Sequence, residues 1–165
     1  MNLVEKIGEQ SIFLYELYFI YAFMAYKHNF SFLMVVLILG NIVINMVSKA
    51  SLIKMGAAYN HKLPLFGSLC RPLDKDCRGI SMIGYGTPSG HSQIVSFVAA
   101  FYYFYYHKHP ESFSKPYLVA LVSIAIFVMA TRYTSNMHSL PQIALGSLLG
   151  VGLAFVMARL LRLAF

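Results

Sequence analysis

A chain of 165 residues that is 58% hydrophobic, only 12% charged and of mean hydropathy +0.63 has no stretch polar enough to fold as a separate soluble domain. Its net charge of +7 is spread over several loops instead of forming a stripe, which argues against a nucleic-acid surface and for an anionic lipid or phosphate as partner. The reading that remains is an all-α integral membrane protein, one membrane-embedded domain spanning residues 1–165. Glu5, Lys6 and Glu9 precede the first apolar run and no small-residue cleavage site follows it, so that run is expected to stay as a span.

In chain order, the pattern predicts about five transmembrane helices. The first covers about Ser11 to Tyr26, with Glu16 near one end in a structural role, and the second covers Phe32 to Ala50. The long polar connection Ser51 to Gly90 follows, broken by Pro64, Gly67, Pro72, Gly79, Gly84, Gly86 and Pro88. The third helix runs from His91 to Tyr106, the fourth from Tyr117 to Ala130 and the fifth from Leu140 to Leu161. The aromatic run "FYYFYYHKH" reads as an interfacial belt. Five alternating spans bring the Ser51–Gly90 connection, the start of the third helix and the Thr131–Ser139 connection to one membrane face. His28, His107 and His109 fall on the other face.

On the shared face lie "HKLPLFGSLCRP" (His61 to Pro72), "PSGH" (Pro88 to His91) and "TRYTSNMHSLPQ" (Thr131 to Gln142). Two arginines, a lysine, two histidines and a glycine-containing helix start are suited to an oxyanion with several charges. Arginine offers a planar fork, lysine a point charge, and a helix start free N–H groups. No cysteine or carboxylate cluster accompanies His91 and His138, so they read as nucleophile and proton donor, with neither metal nor cofactor expected.

At these residues the sequence resembles the type 2 phosphatidic acid phosphatase superfamily of membrane lipid phosphatases. Pro88, Ser89, Gly90 and His91 match one family signature outright. A second is matched by Arg132 and His138, with Thr131 in place of a serine and Gln142 in place of an aspartate. A third is matched at Arg71 and Pro72, but the family's lysine position falls on Pro64, and Lys62 is the nearest substitute. The resemblance runs from about Lys62 to Ser147. "GYGTPSGHSQ" and "RYTSNMHSLPQIALG" are most similar to the dolichyl diphosphatase branch, where glutamine also occupies the last signature position.

The resemblance implies an active site at one membrane face that removes the terminal phosphate of a polyprenyl diphosphate through a phosphohistidine. His138 would attack phosphorus, and His91 would protonate the leaving oxygen and then activate water. Lys62, Arg71 and Arg132 would neutralise the phosphate, with Ser89 and Gly90 assisting, while Gln142 would orient the nucleophile. A phosphatase of lipid monophosphates, such as phosphatidic acid or phosphatidylglycerophosphate, and a catalytically inactive lipid-phosphate-binding protein are the alternatives. The family resemblance puts the active face in the lumen of the endoplasmic reticulum or outside the cell. Setting aside Lys62, Arg71 and Arg132, the positive charges divide evenly between the faces and do not decide the orientation. Cys70 and Cys77 are open to either a disulfide or a free-thiol pair.

Overall fold

The computed structural model describes residues 29–57, 62–63, 67–72, 85–111 and 114–162. Among these, the helices are α1 (Asn29–Ala57), α2 (Gly90–Lys108), α3 (Lys115–Thr134) and α4 (Leu140–Leu160). Two short strands, β1 (Lys62–Leu63) and β2 (Gly67–Ser68), pair antiparallel between α1 and α2, with Lys62 opposite Ser68. The second to fifth expected spans are therefore helices. The first, Ser11 to Tyr26, lies outside the described residues.

Two details depart from the sequence reading. The connection expected to begin at Ser51 starts later, because α1 continues to Ala57. The stretch from Ser51 contains no proline, has Leu52 and Met55 as good helix formers, and places Lys54 in the last turn, where a cation suits the helix dipole. The connection also contains the small hairpin, which the breaker residues did not disclose.

Phe32–Met55, Lys115–Thr134 and Leu140–Leu160 are long and apolar enough to cross a membrane. α2 is the exception, and its position explains why. It lies at the centre, packed against each of the other three helices, and buries Ser92, Gln93 and Ser96 along with Phe97 and Phe101. Outer residues such as Val43, Ile126 and Leu148 remain exposed, suited to hydrocarbon.

α2 packs most closely on α4, and two glycines make this possible. A Cβ at Gly146 would strike the carbonyl oxygen of Ser89, and one at Gly150 would strike that of Gln93. This is the small-xxx-small spacing by which membrane helices bring their backbones together.

α1 meets α2 through polar side chains. Asn41, Asn45 and Lys49 recur every four residues along one face of α1, and all three are buried. Asn45 Nδ2 donates to Gln93 Oε1 at 2.7 Å, and Gln93 Nε2 donates to Asn41 Oδ1 at 2.6 Å. Amides are costly to bury in hydrocarbon unpaired, and these pair across the helices except at Asn41 Nδ2, which is buried without a hydrogen-bond partner. This contact sets the height of Lys49 one turn above Asn45.

Candidate active site

The site forms where the end of α1, the starts of α2 and α4 and the end of α3 come together. Its most informative local structure is the α3–α4 turn. Asn136 adopts φ 54°, a left-handed conformation that asparagine tolerates. The Asn136 N–H donates to the Tyr133 carbonyl at 3.0 Å, and the Met137 N–H donates to the Arg132 carbonyl at 3.1 Å. That pair of bonds is a Schellman helix ending. The His138 N–H reaches the same Arg132 carbonyl at 3.1 Å. The six-residue interval between Arg132 and His138 is thus the geometry of a helix ending, and it fixes the two residues together. The Thr131 hydroxyl turns back to the Val128 carbonyl at 2.8 Å.

His91 and Gly90 occupy the first turn of α2, preceded by a cis Thr87–Pro88 peptide. Ser89 is fully buried as the α2 N-cap, its Oγ accepting from the Ser92 N–H at 3.4 Å and from the Ser92 hydroxyl at 2.9 Å. Arg71 follows Cys70, which bridges to Tyr85 and is disulfide-bonded. The only other cysteine in the sequence, Cys77, lies outside the described residues.

Three segments meet at Gln142, which is 1% exposed. Its Nε2 donates to the carbonyls of Ser68 at 3.0 Å and Cys70 at 2.7 Å. Its Oε1 accepts the Ser139 N–H at 3.1 Å, closing a capping box at the start of α4. Its backbone carbonyl accepts the Ser89 N–H at 3.1 Å. Gln142 therefore serves Ser139 in addition to the His138 ring, whose proton affinity its side chain raises, and His138 Nδ1 itself makes no hydrogen bond of full geometry.

The electrostatics converge on His138, which is 4% exposed. Burial, then the positive charges of Arg71 and Lys49, and to a smaller degree Arg132, push its imidazole down to about 4, while the Gln142 side chain works the other way. The ring is therefore neutral at physiological pH and carries a lone pair. Arg71, Lys49 and Arg132 all act on the same imidazole, which makes the surroundings of His138 a place for an anion.

Lys49 is a further cation at this site, one to which motif spacing did not point. It is 9% exposed, and its Nζ donates to the Tyr85 carbonyl at 2.9 Å, beside the Cys70–Tyr85 bridge that leads to Arg71. The signal was present in the four-residue spacing of Asn41, Asn45 and Lys49 within an apolar helix. Lys62 sits in β1, with its backbone opposite Ser68; its side chain lies outside the described part of the structure. Among the described residues no cluster of three or more His, Cys, Asp or Glu side chains is arranged to hold a metal ion.

The profile of the PAP2 superfamily matches residues 31–164. Over 77 residues the chain is 34% identical to the palmitoyl-protein thioesterase-dolichyl pyrophosphate phosphatase fusion 1 of Schizosaccharomyces pombe. That match covers 42% of this chain and 12% of the relative. No solved structure gives a significant match.

Proposed function

Since the chain belongs to the PAP2 superfamily, a family of phosphatases, we propose that it is a membrane lipid diphosphatase releasing the terminal phosphate of a polyprenyl diphosphate. The observation that carries this reading is a neutral, buried histidine on which three cations converge. The name of the fission-yeast relative, a dolichyl pyrophosphate phosphatase fusion, supports the substrate class.

In this reading the Nε2 lone pair of His138 attacks the terminal phosphorus. A P–N bond forms as the bridging P–O bond breaks, and His91 protonates the departing lipid monophosphate. His91 then takes a proton from water as the water oxygen attacks the phosphohistidine, returning His138 and free phosphate. Lys49, Arg71 and Arg132 balance the charge that spreads over the phosphoryl oxygens. Lys49 takes the part that motif spacing assigned to Lys62.

A cleft of about 430 Å³ between α2, α3 and α4 supports a lipid substrate. Its walls include Ala99, Tyr103, Leu118, Ala125 and Val151, and it ends at Met129, one turn before Arg132. A prenyl chain lying there from the bilayer would bring its diphosphate to the cations. The disulfide at Cys70 supports an oxidising compartment, and so a luminal or external active face.

The test is phosphate release from a polyprenyl diphosphate by the full chain in detergent with EDTA present, beside His138→Ala and with phosphatidate as competing substrate. Release by the wild type alone, with diphosphate preferred, is expected. No release from any lipid phosphate by folded protein overturns the reading, and a preference for phosphatidate overturns the substrate class.

A further inference from the structure

We infer that Gln142 is a positioning residue whose side-chain amide ties the Arg71 loop to the start of α4, and that this tie, more than the orientation of His138, is why an amide stands there. The inference rests on the reading of Arg71 as a phosphate ligand.

The amide's hydrogen-bond pattern fixes which end is which. Nε2 has two hydrogens, and each has a carbonyl: Ser68 at 3.0 Å and Cys70 at 2.7 Å. Oε1 has one backbone donor, Ser139 N–H at 3.1 Å. Flipping the amide would set oxygen against two carbonyl oxygens and nitrogen against an N–H. The two carbonyls lie within the three residues preceding Arg71, so the tie holds that loop just before its guanidinium-bearing residue. Ser139 is next to His138, and the Gln142 carbonyl takes the Ser89 N–H at 3.1 Å, two residues before His91. One residue thus joins the segments that carry Arg71, His91 and His138.

The surroundings leave no room for another arrangement. Gln142 is 1% exposed, and a Cβ at Gly86 would come within 2.5 Å of its Oε1. Gly86 is itself held by its N–H on the Leu69 carbonyl at 2.8 Å, within the same loop contact. An ionised carboxylate at residue 142 would bring lone pairs and no hydrogens to two buried carbonyls, which is repulsive. The aspartate found at the corresponding signature position elsewhere in the family would be both too short and of the wrong polarity for this loop.

The two roles predict opposite outcomes for Gln142→Glu. If residue 142 chiefly served the imidazole, added negative charge would stabilise the imidazolium, keep or raise turnover, and move the acid limb of the pH profile upward. If it ties the loop, the charge loosens the Arg71 segment.

The experiment uses the full chain in detergent, as wild type, Gln142→Glu and Gln142→Leu. The first readout is the rate at which dithiothreitol opens the Cys70 disulfide, followed by a maleimide-polyethylene glycol gel shift. The second is affinity for orthovanadate as a phosphoryl mimic, and the third is the pH profile of phosphate release. Both variants should be reduced about tenfold faster than wild type and bind orthovanadate about tenfold more weakly, as expected for losing a buried hydrogen-bonded tie. Reduction of Gln142→Glu at the wild-type rate, or turnover at or above wild type with an upward-shifted acid limb, overturns the inference. Should Gln142→Glu not yield folded protein, Gly86→Ala displaces the same amide and should give the same two changes; wild-type behaviour of Gly86→Ala then overturns it. Should wild type release no phosphate and bind no orthovanadate, the functional reading fails, while the reduction rates still decide whether the tie exists.

Discussion

The glycines between α2 and α4 allow one prediction to be worked through from geometry. Gly146→Ala and Gly150→Ala each place a methyl group against backbone: the carbonyl of Ser89 for Gly146, and that of Gln93 together with the Phe97 nitrogen at 3.0 Å for Gly150. Backbone cannot swing aside as a side chain can, so the helices must separate. Overpacking of this kind costs about 1–3 kcal/mol. The better helix propensity of alanine offsets about 0.8–1.0 kcal/mol of this, so the steric clash outweighs the gain and both variants lose stability. Gly152, two residues further on, has nothing within 4 Å of its Cβ position, so Gly152→Ala receives the propensity gain without the clash. The assay is the fraction of each variant remaining monodisperse by size exclusion after a temperature series in one detergent. Gly146→Ala and Gly150→Ala should fall below wild type and Gly152→Ala should match or exceed it. Gly146→Ala should also lose more activity per degree of lost stability, because it displaces Ser89, which caps the helix bearing His91. Equal or greater stability of Gly150→Ala relative to Gly152→Ala would refute the close backbone contact.

Three further outcomes follow from the site and its supports. Lys49→Met should lower kcat/KM for a lipid diphosphate by about 10²–10³, the scale for losing one preorganised charge contact, while Lys62→Met changes it little; the reverse order would return the role to Lys62. His138 should titrate near 4 by NMR of labelled imidazole. Because the unfolded chain takes that proton near 6.5, folded stability is fully present above 6.5 and falls as pH drops toward 4. The loss should be about 3 kcal/mol, and His138→Gln should flatten this part of the pH dependence of stability. Gln93→Leu removes the partner of both Asn41 and Asn45 and should cost about 1–2 kcal/mol of thermal stability in detergent. Its activity loss should resemble that of Lys49→Met, since the same contact sets the height of that lysine.

The helices, and the face on which the motifs meet, were legible because both depend on local rules. Apolar runs the length of a bilayer disclosed α1, α3 and α4. The Arg132–His138 interval was recognised as a motif, although its physical meaning, a Schellman ending with Asn136 in the left-handed region, emerges only from the backbone. Lys49, proposed above for the part first given to Lys62, drew no notice because a signature read as spacing before Arg71 looks for a lysine near residue 64, between β1 and β2. A polar stripe of Asn41, Asn45 and Lys49 in an otherwise apolar helix is a stronger guide, since each residue would be costly against lipid and so must face protein. Gln142 teaches the complementary point. Viewed in the sequence as a substitute for aspartate, it is assigned to orient the nucleophile; with two carbonyls on its nitrogen, its lack of charge is what lets it hold the Arg71 loop.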